Sequence, residues 1–192
     1  MAAGRASDAA RWAIRPASWD GFAAVMGEKG GSGGCWCMLW RLRAKDFNAG
    51  KGAGNRDAMR TVFAAGEGPG LVAWVGDYAV GWIQIAPRTA FPRLAGSRVL
   101  APVDDAPVWS VACFLVEKGW RRKGLSVALL EAACGFAALQ GAEIVEGYPV
   151  APADKTYAPV YAWTGLHAAF EKAGFEEVAR RSPTRPIMRR WM

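Results

Sequence analysis

The sequence predicts an α+β fold in which a mainly antiparallel sheet carries packed helices. Three observations predict it. First, Leu71–Val75 and Tyr78–Ile85 flank Gly76-Asp77, the spacing of a tight hairpin. Second, an apolar run from Val108 to Val116 is followed by a basic, glycine-containing turn and then by a long apolar helix pattern ending at Gln140. Third, Glu176–Arg181 and Ile187–Trp191 read as a closing strand pair joined by Ser182-Pro183-Thr184. Strands that return as hairpins, with helical segments between them, give a mixed sheet covered by helices.

The elements follow in order. Arg11–Arg15 is a short first strand. Ser18 is an N-cap for a helix running to Met26, with Asp20 well placed in its first turn. Gly27–Gly34 breaks the chain. In Cys35–Arg43, Trp36, Leu39, Trp40 and Arg43 share a helical face, but the run is too short to decide its state. After a loop at Gly50–Gly54, Asn55 can cap a helix to Ala65 that buries Met59, Val62 and Phe63. Following the hairpin, Pro87–Pro107 holds four prolines and reads as a long loop of the kind that often carries function. Val108–Val116 is the central strand. Leu125, Leu129, Ala132, Ala133 and Phe136 form the core stripe of the next helix, where Gly135 suggests a close-packed neighbour. Ala142–Val150 is a strand ended by Pro149 and Pro152. Tyr161–Lys172 is a helix closed by Gly174.

A chain of 192 residues, 52% of them hydrophobic, is sized for one domain, 1–192, that buries its core without disulfides or a metal. No apolar run reaches the roughly 18–20 residues needed to span a bilayer. The segment MAAGRASDAARW lacks an apolar signal core, so a cytoplasmic location is expected and no membrane partner. Cys113 and Cys134 sit in apolar segments, and the four cysteines form no disulfide framework. The net charge of +7 concentrates at Arg121–Lys123 and Arg180–Arg190. Such charge suits nucleic acid, an acidic surface or an anionic cofactor. None of the short DNA- or RNA-binding motifs is present, so a solvated basic face is preferred over a nucleic-acid partner. Cys35-Trp36-Cys37 has one intervening residue, and the chain has one histidine. Zinc pairs are usually spaced by two to four residues and completed to four ligands, so no metal is expected.

The strand–turn–helix at Val108–Gln140 carries the most chemistry. The first amides of a helix have no intrahelical partner, and the helix dipole adds partial positive charge there. A phosphate or pyrophosphate is the natural occupant.

These residues resemble the GNAT superfamily of acyl-CoA-dependent N-acetyltransferases. The superfamily signature is Gln or Arg, two residues, Gly, one residue, then Gly or Ala. Here it reads Arg121-x-x-Gly124-x-Ser126, with serine as a small-residue variant. The upstream Val-x-Pro is present as Val116-Glu117-Lys118, without the proline. The closing aromatic-x-x-x-Gly-Phe motif is Phe170 to Gly174-Phe175. The motif-bearing match runs from about Leu71 to Trp191. The resemblance implies a three-layer fold with helices on both faces of a sheet splayed beside the central strand, and acetyl-CoA as co-substrate. It implies a pantetheine arm paired with backbone near Leu115 and Val116. It places the pyrophosphate on amides from Arg122 through Lys123, Gly124 and Leu125 to Ser126, with Arg121, Arg122 and Lys123 supplying positive charge. The implied partner is a small-molecule or peptide amine, and a homodimer is compatible with the family.

Acetyl transfer needs a neutral amine, hydrogen-bond donors for the developing oxyanion, and a proton for the leaving thiolate. The usual family residues are absent. Phe170 stands where many members carry a proton-donating tyrosine, and Ser110 matches the position of a glutamate base on the central strand, where serine can hold a water. Ile144, Glu146 and Tyr148 share one face of the following strand by period-two alternation. Glu146 is therefore a candidate proton acceptor through water and Tyr148 a candidate donor. Both can equally be a surface glutamate and a packing tyrosine. Tyr157, Tyr161 and the lone His167 rank below them. Trp74, Trp82 and Trp109 read as core, while Trp36, Trp40 and Trp163 are either core or the wall of an acceptor pocket. The expected function is direct N-acetylation of a primary amine, with no acyl-enzyme. A CoA-binding module or regulator without catalysis is the alternative that Phe170 and Ser110 motivate.

Overall fold

Among the described residues, seven strands make one sheet in which a single neighbouring pair runs parallel. The computed structural model describes residues 12–152 and 162–192. The strands are β1 (Ala13–Pro16), β2 (Gly70–Val75), β3 (Tyr78–Pro87), β4 (Trp109–Val116), β5 (Ile144–Gly147), β6 (Glu176–Arg180) and β7 (Pro186–Trp191). Their order across the sheet is β1-β2-β3-β4-β5-β7-β6. The parallel pair is β4–β5, and the others are antiparallel.

A parallel pair needs a crossover, and α5 (Leu125–Leu139) supplies it. Leu125, Leu129, Leu130, Ala133, Cys134 and Ala137 are its buried residues, spaced three and four apart. They meet Leu71, Ile83 and Val111 of the sheet. The expected stripe is rotated slightly, since Ala132 and Phe136 are only half-buried. Phe22, Met26 and Met59 cover the other face against Val72, Trp82 and Cys113. They come from α1 (Trp19–Met26) and α3 (Ala53–Ala64), so the sheet is sandwiched in three layers. Ser18 caps α1 as its sequence suggests, accepting from the Gly21 N–H at 3.2 Å.

Several expectations are corrected. Cys35–Arg43 forms turns rather than helix or strand, with Trp36 and Cys37 at positive φ. A short helix, α2 (Ala44–Ala49), precedes α3. Asn55 lies inside the first turn of α3 and is no cap. Its buried amide donates to the carbonyls of Gly34 and Phe47, both at 3.2 Å, tying the glycine-rich segment to the helices. The 87–107 segment is not a bare loop. It contains a 3-10 turn at Arg88–Ala90 and α4 (Pro92–Ala95), and it buries Phe91, Leu94 and Leu100 against Ala112, Tyr148 and Ile187. The helix expected at Tyr161–Lys172 is α6 (His167–Lys172), and Tyr157 and Tyr161 lie outside the described residues. Leu166, just before α6, is extended and pairs with Val150 instead. Gly135 is exposed, and a Cβ there would meet nothing within 4 Å, so no close neighbour among the described residues explains it.

Among the described residues no helix is long and apolar enough to cross a membrane.

Candidate active site

The site begins where β4 and β5 part. Trp109, Ser110 and Val111 pair with Val145, Glu146 and Gly147, and there β5 stops while β4 runs on to Val116. A bulge marks the same place on the other side of β4. Gln84 pairs with Cys113 and Ile85 with Val111, which leaves Ala112 as the extra residue. Beyond it, β4 keeps β3 as a partner and turns its other edge to the opening. Backbone direction alternates along a strand, so Phe114 and Val116 address the opening while Leu115 addresses β3. The Phe114 N–H donates to the Trp163 carbonyl at 2.6 Å, and the Val116 carbonyl accepts from Arg121 Nε at 2.9 Å.

The free edge leads into the basic turn. Arg121, Arg122, Lys123 and Gly124 are all exposed. Arg122 sits at φ 60° and Gly124 at φ 88°, so the chain passes through the left-handed region twice as it enters α5. Glycine takes that conformation without strain. The first amides to reach back, those of Val127 and Ala128, both find the Gly124 carbonyl. The preceding amides lie ahead of the intrahelical ladder and point out of it. Leu125 is buried and anchors the helix start beneath Gly81, while Ser126 is half-buried. The ammonium of Lys123 rests 4.8 Å from the centre of the Trp120 ring.

On the α1/α3 side of the sheet, Ser110, Glu146 and Tyr148 are brought together, all with no exposed surface. The Tyr148 hydroxyl donates to Glu146 Oε1 at 2.7 Å and lies 2.8 Å from Ser110 Oγ. Arg88 also donates to the Tyr148 hydroxyl and reaches Glu146 Oε1 at 2.7 Å. Arg189 Nε holds Glu146 Oε2 at 2.8 Å, and its two terminal nitrogens hold Asp104 at 2.6 and 2.9 Å. Burial, and then the charge of Glu146, push the Tyr148 hydroxyl well above its usual pKa, so it remains a phenol. Asp104 is held low, chiefly by its hydrogen bonds from Arg189. Glu146 is thus surrounded by two guanidiniums and a phenol, with both oxygens engaged.

The sequence itself matches a family model. Residues 36–175 fit the model described as the acetyltransferase (GNAT) family. The chain belongs to the GNAT acetyltransferase family. Solved structures carry the same fold. One is yncA from Salmonella typhimurium, solved with its cofactor acetyl-CoA: TM-score 0.54, 15% identity, covering 94% of each chain. Another is a point mutant of an agmatine N-acetyltransferase in its apo form: TM-score 0.57, 10% identity, covering 95% of this chain and 100% of that one. A GNAT-family acetyltransferase from Streptococcus pneumoniae gives TM-score 0.55 at 14% identity, covering 94% and 99%. No functionally curated protein matches the sequence.

In this GNAT chain Phe170 lies in the floor of the opening. A Cβ at Gly147 would collide with its ring, and its edge meets Phe114 and Phe175. No polar atom of that side chain exists to serve a thiolate. His167 sits away from the network, with Glu171 3.2 Å from Nδ1 and Glu177 3.4 Å from Nε2. Trp82 is fully buried and Trp36 nearly so, stacked on Trp19, whereas Trp74 and Trp109 are half-buried. Trp40 and Trp163 pair with ring centres 5.9 Å apart. Cys37 and Cys113 pack with their sulfurs 2.9 Å apart, and among the described residues no group of three ligand-type side chains is placed to hold a metal. Sequence reasoning missed Arg88, Arg189 and Asp104. Arg189 falls within the basic tail that reads as solvated, yet it is 4% exposed. Nothing local distinguishes it from Arg180, which is exposed. The pairing of β7 with β5, which sets Arg189 opposite Glu146, buries it.

Proposed function

We propose that this GNAT-family protein transfers an acetyl group from acetyl-CoA to a primary amine by direct attack. The observation that carries this reading is the run of β4 past its pairing with β5, continuing through a 3-10 turn at Lys118–Trp120 to the exposed turn at Arg121–Gly124. The residues fit the co-substrate. The β4 edge at Phe114 and Val116, on either side of Leu115, suits the amides of a pantetheine arm. The amides from Arg122 to Ser126 suit a pyrophosphate, and among the described residues a Cβ at Gly124 would meet nothing within 4 Å, so the cradle is open outward there. Arg121 and Lys123 add charge at its rim.

The thioester supplies an activated acyl group. The chain's own residues hold and orient. The Phe114 N–H, once released from the Trp163 carbonyl, is a donor placed for a developing oxyanion. Tyr148 follows Gly147, the last residue of β5 paired with β4, and so stands at the apex of the opening as a protonated phenol. It is our candidate proton donor, provided its proton turns from Glu146 Oε1 to the thiolate, with Ser110 hydrogen-bonded beside it. A base needs an oxygen free to face the proton it takes. Glu146 has no exposed surface and its oxygens accept from Arg88, Tyr148 and Arg189, so its role here is to position Tyr148. The amine then enters as its neutral form and loses its proton through water. Holding amine and thioester together supplies much of the rate.

The test has two steps. Acetyl-CoA at a hundredfold excess over its Kd is expected to stabilise the protein by about 2.7 kcal/mol, read as a thermal shift. Thiol release is then followed with a broad panel of primary amines, with intact-mass spectrometry checking that the protein itself stays unacetylated. Stabilisation without thiol release for any amine would favour a CoA-binding module. Absence of any shift would remove the CoA site itself.

A further inference from the structure

We propose that the cavity beside Arg41 binds a carboxylate, and that this is the anionic end of an amine acceptor with an apolar body. The second half rests on the transferase reading above; the carboxylate site does not.

Arg41 comes from the turns at Cys35–Arg43, and its side chain is 6% exposed. Among the described residues only Nη1 has a partner, Glu67 Oε2 at 3.2 Å, while the guanidinium carbon lies 5.1 Å from the centre of the Phe91 ring. Nε and Nη2 are buried and have no hydrogen-bond partner among the described residues. Those two N–H groups form the side-on edge of the guanidinium, which takes both oxygens of a carboxylate in parallel. The protein uses that edge at Arg180, where Nε and Nη2 donate to the two oxygens of Glu177 at 2.7 and 2.5 Å. The buried Arg189 has Nε, Nη1 and Nη2 all engaged with Glu146 and Asp104. Arg41 is as deeply placed and has its best edge unused. Leaving buried donors unpaired is costly, more so when they carry charge. A carboxylate relieves that cost.

The surroundings fit such a ligand. Arg41 lines a cavity of ≈790 Å³ whose walls include Met38, Val62 and Trp109, with Thr61 and Thr89. That volume suits a small molecule, and mostly apolar walls with few polar groups are what such sites have. Glu67 also lines it, but at the half-exposed rim, free to swing into water when an anion arrives. The cavity adjoins the reaction site. Ala86 is in its wall and pairs across the sheet with Ser110, so both project from the same face.

The probes are ω-phenylalkanoates of two to six chain carbons and their carboxamides, measured by saturation-transfer NMR on the full chain. At least one carboxylate is expected to bind tenfold or more tightly than its amide. Arg41→Met should remove that preference, and Arg41→Lys, which keeps charge but loses the fork, should keep only part of it. Glu67→Gln, at an exposed position that leaves the fold intact, should tighten carboxylate binding several-fold. The thermal shift with acetyl-CoA should be the same in all three. Equal binding of acid and amide, no binding of any acid, or full affinity in Arg41→Met overturns the site. If the acids bind but acetyl-CoA gives no shift, the site stands and the transferase reading fails. If acetyl-CoA shifts the protein and ω-amino acids are acetylated no faster than their amides, the assignment to the acceptor is overturned.

Discussion

The Phe114 amide donates to the Trp163 carbonyl across 2.6 Å, so the opened edge of β4 is capped by the chain's own backbone. The thioester carbonyl of acetyl-CoA bound along this edge needs the same donor. Acetyl-CoA is therefore expected to free residues 162–165 while keeping Phe114 protected, since one carbonyl replaces another. Hydrogen exchange with and without acetyl-CoA checks this: exchange should quicken across 162–165 and stay slow at Phe114. Unchanged exchange in 162–165 with bound acetyl-CoA would mean that the arm lies elsewhere.

Gly124 combines two demands. Its φ of 88° suits glycine, and its amide belongs to the turn before the helical ladder of α5. Gly124→Ala is expected to cost about 1–2 kcal/mol of stability from the left-handed backbone alone. Gly124→Asp adds a negative charge where a pyrophosphate is proposed, and should weaken CoA binding at least about tenfold beyond the alanine variant, or about 1.4 kcal/mol. Calorimetric titration of both variants separates strain from charge. Equal CoA affinity in the two would remove the pyrophosphate from this turn.

Tyr148→Phe keeps the buried ring and deletes the hydroxyl shared by Ser110, Arg88 and Glu146. Loss of one buried hydrogen-bonding group costs about 1–3 kcal/mol. A proton donor predicts more: kcat should fall on the order of 100-fold, the usual scale for general acid catalysis, with the amine KM little changed. A lowered melting temperature with unchanged kcat would make Tyr148 a structural residue.

The hairpin β2–β3 and helix α5 are legible in the sequence because their signals are local. Gly76-Asp77 fixes a turn, and six buried residues of α5 recur at helical spacing. The period-two placement of Glu146 and Tyr148 on one face is legible for the same reason. Their partners are not. Arg88 is 58 positions from Glu146 and Arg189 is 43, and only strand order brings them together. The 87–107 segment hides its small core because four prolines mask three well-spaced apolar residues, Phe91, Leu94 and Leu100. Cys35–Arg43 is ambiguous because turns at positive φ carry no periodicity.

Acid should destabilise the protein through two carboxylates. Asp104 is held low by Arg189, and Glu177 by Arg180 and then by His167. A depressed folded pKa means that the unfolded chain takes up protons first. The stabilisation is present above the unfolded value, about 4, and is lost as pH falls through the folded value. Melting temperatures should therefore drop below about pH 4. The double variant Asp104→Asn, Glu177→Gln should start lower at pH 7 and show a shallower acid decline. An unaltered acid slope would assign the loss to other groups.

Two glycines, one beneath α5 and one within it, test how the helix surface is used. Gly81 lies under the helix, where a Cβ would stand 3.1 Å from Leu125 and 3.3 Å from Leu129. Gly81→Ala must push that packed pair, and overpacking costs about 1–3 kcal/mol. Gly135, in the C-terminal half of α5 itself, has open space where a Cβ would go and is exposed. There glycine contributes only its larger loss of backbone entropy. Gly135→Ala should stabilise by about 0.5–1 kcal/mol, raising the melting temperature by about 1–4 °C in a protein of this size. Thermal melts of the two single variants should move in opposite directions. A fall at Gly135 would place something against that face of the helix, and the first partner to look for is a second copy of the chain.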